Sequence, residues 1–218
     1  YLMGQMDRPL PADGEMDIEK KKGRLLYEAT MSDASSLKDW RIEGPAVVEF
    51  SKKKLVLSSK IPDPKDGSTG HFNLWCPGTY PDRIIVEWEF KPLAEYGAYH
   101  LFFAANGAKG EDVFDPKLAK RDGHFQQYIN GDIDNYYIIY YSNLKLMRTS
   151  NMTTSWLTRS NPQTLMGLGA IAVPPGKASK FYKLRMIKDG SRIRFEVDGR
   201  PVFDLTDPGT KRWGKVLK

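Results

Sequence analysis

The sequence predicts an all-β fold, a jelly-roll β-sandwich of two antiparallel sheets. Short runs with period-two alternation recur from Arg24 onward, each bounded by turn residues. Two Asp-Gly pairs, in Lys188-Asp189-Gly190-Ser191 and Val197-Asp198-Gly199-Arg200, mark hairpins. Nothing long has helical periodicity, and many short strands between turns belong to sandwiches and jelly rolls.

Residues 1–23 mix Pro, Gly, Asp and Lys without a period and read as an irregular arm. Residues 24–218 are long enough for one domain with a sizeable core. Its first strands are expected at Arg24–Glu28, Ala46–Phe50, Lys54–Ser58 and His71–Trp75. Alternation is clearest in Arg83–Lys91, where Ile85, Glu87 and Glu89 share one face and Val86, Trp88 and Phe90 the other. Further strands are expected at Ala98–Ala104, Gln126–Ile129, Tyr136–Tyr141, Phe181–Lys188, Arg192–Val197 and Pro201–Leu205. Between Ser142 and Ser179 the pattern weakens, and Asn, Thr, Ser and Pro stand out. A loop of that length in a compact domain is usually functional, so it is expected to border a groove. A closing strand is expected beyond Lys218.

Net charge is +6 and the pI near 9.2, which favours a polyanionic partner. The short lysine runs Lys20–Lys22 and Lys52–Lys54 suit solvated loops or strand edges. No zinc-finger, helix-turn-helix or RNP-like pattern accompanies them, which argues against nucleic acid. No apolar run is long enough for a transmembrane helix, so no membrane partner is expected. Cys76 is the only cysteine and cannot form an internal disulfide. That is compatible with the periplasm or the cytoplasm; a polysaccharide partner favours a periplasmic or extracellular site. The chain starts at Tyr1, so the lack of a leader decides nothing about export.

The segment from Gly110 to Tyr141 puts an Arg, a His, two Gln and five Tyr close together. Amides and charges suit hydroxyls and carboxylates, and phenol rings suit the apolar faces of pyranoses. The competing reading is a structural polar network beside a tyrosine-rich strand. On that strand Tyr137 and Tyr141 share one face and Tyr136 and Tyr140 the other, so one pair belongs to the core and the other to a groove.

Leu26-Tyr27-Glu28, Lys38-Asp39-Trp40, Lys54-Leu55-Val56-Leu57 and Phe195-Glu196-Val197-Asp198-Gly199 look like the concanavalin A-like lectin/glucanase superfamily. More specific are His71-Phe72-Asn73-Leu74-Trp75, Glu87-Trp88-Glu89-Phe90, Gly110-Glu111-Asp112-Val113-Phe114-Asp115 and Arg121-Asp122-Gly123-His124. With Gln127-Tyr128 and Gly131-Asp132-Ile133-Asp134-Asn135-Tyr136 they resemble the YesU-like family. That resemblance implies a curved sandwich with a glycan-sized concave face and a setting among bacterial polysaccharide-degradation genes. It supplies no agreed catalytic set.

Two chemistries compete. Glycoside hydrolysis needs paired carboxyl groups, and Glu87 and Glu89 share a face. The Glu-x-Asp-x-x-Glu arrangement of laminarinase-like relatives is absent, because Glu89 and Pro92 occupy its second and third places. The bland alternative is ion pairing on a solvated sheet face. β-Elimination needs a cation for a substrate carboxylate, a base and an acid. Arg121, His124, Gln126 and Tyr128 supply these types, and an extended segment would turn the last three to one face. The expected site is therefore Arg121, His124, Glu87 and Glu89 as catalytic groups. His71, Trp75, Gln126, Tyr128, Tyr137 and Tyr141 are the expected substrate-binding groups, and the partner is a polysaccharide or oligosaccharide. A non-catalytic glycan-binding module is the alternative. His71, His100 and His124 lack metal-ligand spacing, so no cofactor is expected. Asp112, Asp115, Asp132 and Asp134 suit a structural calcium ion or, in the favoured reading, turn capping.

Overall fold

The structure, a computed structural model, describes residues 2–6, 19–61, 70–143, 154–209 and 216–218. Their strands are β1 (Leu2–Met6), β2 (Lys22–Glu28), β3 (Arg41–Glu43), β4 (Ala46–Ser51), β5 (Lys54–Ser59), β6 (Asn73–Trp75) and β7 (Arg83–Phe90). Next come β8 (Gly97–Gly107), β9 (Ile133–Asn143), β10 (Trp156–Arg159), β11 (Thr164–Leu168), β12 (Tyr182–Asp189), β13 (Arg192–Val197) and β14 (Arg200–Thr206). One sheet has six strands in the order β14-β13-β12-β7-β1-β2, and the other has four in the order β11-β10-β9-β8. β3 pairs with β6 and β4 with β5. Every pairing is antiparallel, and the fold is the two-sheet jelly-roll sandwich that the alternation predicts.

Turn chemistry joins the strands at the C-terminal end of the larger sheet. β13 passes into β14 through Asp198 and Gly199, both at positive φ, the geometry that follows sheet twist in a two-residue hairpin. β12 passes into β13 through Gly190 and Ser191, with Asp189 paired to Arg192. Ile84, Val86, Trp88 and Phe90 of β7 face Tyr136, Ile138 and Tyr140 of β9 across the core. Phe195 is fully buried there, with its ring 6.1 Å from Trp88 and 5.7 Å from Phe203.

Four expectations change. Residues 2–6 are not an irregular arm: β1 lies inside the large sheet, with Leu2 opposite both Glu28 and Glu87. Gln126–Ile129 is a single helical turn, α1, rather than a strand. The 142–179 stretch contains β10 and β11. Its strand signal is hidden because polar residues are buried there: Arg159 pairs with Asp207 at 3.4 Å, and the Ser160 hydroxyl accepts the Asn135 N–H at 2.8 Å. Finally, β8 and β9 pair through a bulge, with Tyr99 opposite Tyr141 but His100 opposite Ile139. The extra residue brings Tyr141 into the core beside Tyr136 and Tyr140, so Tyr137 alone of the four faces outward.

The closing strand expected after Lys218 lies outside the described residues. Among the described residues no helix is long and apolar enough to cross a membrane. Phe195→Ala should lower stability by about 3–5 kcal/mol, the usual cost of deleting a buried ring. Urea unfolding measures it; an unchanged midpoint would contradict this core.

Candidate functional site

β8 and β9 turn His100, Phe102, Tyr137 and Ile139 away from the sandwich core, and β10 places Trp156 opposite Ile139. Phe125, just before α1, closes over this face. Its ring lies 5.0 Å from His100, 6.3 Å from Phe102 and 5.7 Å from Tyr137. His71, just before β6, meets Phe125 edge-on at 6.3 Å and lies 6.5 Å from His124. His71 and His100 thus both meet one phenylalanine, with His124 beside His71. A cleft of about 2420 Å³ lies over this face, lined by His71, Trp75, His100, Phe102, Phe125 and Trp156. It continues past the start of β8 to Lys91, Phe181 and the β4–β5 hairpin.

Burial pushes His100 down to about 3, with His71 adding repulsion, so its imidazole is neutral at ordinary pH. His71 also falls below the usual imidazole value, through partial burial first and the neighbouring His124 second. Among the described residues neither His71 nor His124 has a side-chain hydrogen bond from its ring, so both are available to a ligand. Burial raises Tyr137, whose hydroxyl accepts the Gln163 amide at 2.7 Å.

A buried carboxylate sits beneath the cleft. Glu43 of β3 accepts the Trp75 indole N–H at 2.9 Å and the Tyr128 hydroxyl at 2.8 Å. Arg121 meets both its oxygens, Nη2 to Oε1 at 3.1 Å and Nε to Oε2 at 3.3 Å. Arg121 Nη2 also donates to the Val113 carbonyl at 2.7 Å. Close backbone packing fixes His71 as well. Gly44 and Gly123 stand at φ of +94° and +97°, and a side chain on either would run into the His71 carbonyl oxygen.

The structure divides the expected site. His71 and Trp75 line one cleft, and His124 lies beside His71. Arg121 does not join them as a free cation: its side chain is 4% exposed, and its fork is committed to Glu43. Tyr128 is fully buried in the same network, Tyr137 is buried as floor, and Tyr141 donates its hydroxyl to the Glu95 carbonyl inside the core. None of these three rings can stack on a sugar. Gln126 is exposed on α1 and accepts the Asn130 amide at 2.6 Å, so the shared face expected of an extended segment is absent. Glu87 and Glu89 project from β7 on the side opposite Val86, Trp88 and Phe90, and both line the cleft away from its aromatic–histidine end. Glu87 pairs with Arg185 at 2.6 Å and Lys22 at 2.8 Å, and Glu89 with Lys54 at 3.0 Å. Asp112 and Asp115 accept the backbone N–H groups of Phe114 and Lys117, and Asp132 that of Ala119, so these side chains hold turns. Among the described residues no group of three or more His, Cys, Asp or Glu is arranged to hold a metal ion.

Sequence reasoning missed Phe102, Phe125 and Glu43. His100 and Phe102 carried a usable signal, two apart on a strand. Glu43, between Ile42 and Gly44, carried none.

The family model described as "Domain of unknown function (DUF1961)" matches residues 24–218. The chain belongs to this family. It is 38% identical to "Uncharacterized protein YesU" of Bacillus subtilis (strain 168) over 202 residues, covering 90% of this chain and 86% of the relative. A solved structure, "Crystal Structure of Protein of Unknown Function with Galectin-like Fold from Bacillus subtilis", superposes with a TM-score of 0.79 at 36% identity. The match covers 88% of this chain and 84% of that one. The jelly-roll sandwich and the YesU-like membership read from the motifs both hold.

Glu43→Ala should cost about 3–5 kcal/mol, because it leaves a buried guanidinium without its counter-ion. Chemical denaturation measures this, and a loss under 1 kcal/mol would deny the network its role. The sign of the His100 shift sets a pH dependence. The unfolded chain takes up this proton below about pH 6.5 and the folded chain only near 3, so stability falls as pH drops through that window. His100→Gln should flatten the fall in melting temperature between pH 6.5 and 4; an unchanged slope would show another group to be responsible.

Proposed function

We propose that this chain binds a polysaccharide segment in the aromatic–histidine cleft and that His71 and His124 perform proton transfer on it. The carrying observation is an open cleft lined by His71, Trp75, Phe102, Phe125 and Trp156, with the His124 imidazole 6.5 Å from that of His71. Flat rings suit pyranose faces, and imidazoles suit hydroxyls and proton transfer. The galectin-like fold of the solved relative supports a sugar ligand.

β-Elimination fits the site better than hydrolysis, since Glu87 and Glu89, which also line the cleft, are committed to ion pairs with Arg185, Lys22 and Lys54. In this reading neutral His71 removes the proton next to the sugar carboxylate. The electron pair forms an enolate, which then expels the glycosidic oxygen and leaves a carbon–carbon double bond. His124 gives a proton to the leaving oxygen. A polymeric substrate also favours a periplasmic or extracellular setting. Cys76 adds no chemistry, since burial pushes its thiol up to about 11.

Incubation with acidic and neutral polysaccharides, followed by ultraviolet absorbance of unsaturated ends and a reducing-end assay, tests the reading. Unsaturated product is expected. His71→Ala and His124→Ala should each lower its rate about a hundredfold while calorimetric binding persists. Trp156→Ala should weaken binding about tenfold, or about 1.4 kcal/mol. Binding without either product would leave a glycan-binding module. Full activity in both histidine variants would move the chemistry elsewhere.

A further inference from the structure

Arg121 is sequestered, so an acidic sugar needs another cation, and the far end of the same cleft supplies one. Lys54 opens β5 directly after the β4–β5 hairpin tip, and its ammonium lies 5.1 Å from the centre of the Phe181 ring. The ammonium of Lys91, just after β7, lies 5.8 Å from the same centre. Phe181 is 41% exposed and lines the cleft with Lys52, Lys54, Lys91 and Lys183. The negative face of an aromatic ring attracts ammonium groups, so Phe181 gathers two charges that would otherwise repel each other.

Few carboxylates neutralise this cluster. Glu89 pairs with Lys54 at 3.0 Å, whereas Lys91 donates to the Ser179 carbonyl at 3.3 Å. Among the described residues Lys52, Lys91 and Lys183 have no ion-pair partner. The hairpin tip itself holds lysine in the left-handed region at both Lys52 and Lys53, with φ of 50° and 57°. Glycine or asparagine would sit there at lower cost, by about 1 kcal/mol per residue. The tip presents positive charge despite that strain.

We propose that Phe181, Lys54 and Lys91 form an anionic-sugar subsite, taking the carboxylate or sulfate of one residue while the aromatic–histidine end holds its neighbours. This rests on the glycan reading and adds the class of substrate and the groups that select it.

The test compares calorimetric binding of three ligands: a uronic-acid oligosaccharide, its carboxyl-reduced neutral counterpart, and a sulfated form of that neutral oligomer. The parent protein should prefer one or both anionic ligands, and that preference should shrink as salt is raised. The double variant Lys54→Gln/Lys91→Gln should lose about tenfold in anionic affinity and nothing for the neutral oligomer. Glu89→Gln, which removes the competing carboxylate, should raise anionic affinity severalfold and keeps the test open if the double variant fails to fold. Equal losses for charged and neutral ligands, or no loss at all, would overturn the subsite. A parent that binds all three equally overturns the subsite but leaves the glycan reading standing; a parent that binds none overturns both.

Discussion

A single buried carboxylate, Glu43, holds together segments that are distant in the chain. Removing an ionised group from water is costly unless every lone pair finds a donor, and Glu43 finds Arg121, Trp75 and Tyr128. Arg121 has the reciprocal need and meets it with Glu43 and the Val113 carbonyl. Four pieces of backbone are thereby brought to one point: β3, β6, the 113–121 loop and α1. His71 lies just before β6, and His124 with Phe125 just before α1. The placement of the imidazole pair therefore depends on this buried network.

The two outer faces of the sandwich have different fates. On the six-stranded sheet, carboxylates and guanidinium groups alternate from Glu87 through Arg185, Glu196, Arg194 and Asp204 to Arg192. Each charge is answered by a neighbour on its own or the next strand, which makes a stable hydrated surface and a poor site for proton chemistry. On the four-stranded sheet the outward residues are rings, and the helical turn and the His71 segment wall them in. That side offers apolar faces together with imidazoles.

The net positive charge is also divided by residue type. Arg121, Arg159, Arg185, Arg192 and Arg194 are each paired with carboxylates, where a rigid planar fork suits bidentate or bridging contacts. Lys52, Lys91 and Lys183 keep their charge at the surface of the cleft.

Alternation along β7 and the Asp198-Gly199 turn were enough to read the sandwich, because period-two patterning and left-handed turn residues are local properties. His71, His124 and Trp75 were legible as candidates for a similar reason: their chemistry is intrinsic to the side chain. Which groups face the cleft was not local. A one-residue bulge against β8 sent Tyr141 to the core, and the shift is invisible to a strict count of two. The burial of Arg121 was decided by Glu43, 78 residues away in sequence. The sequence by itself determined that strands would form and which side chains could bind or transfer protons. Only the tertiary structure decided which of them stay free, because burial and charge pairing depend on neighbours that the chain brings from far away.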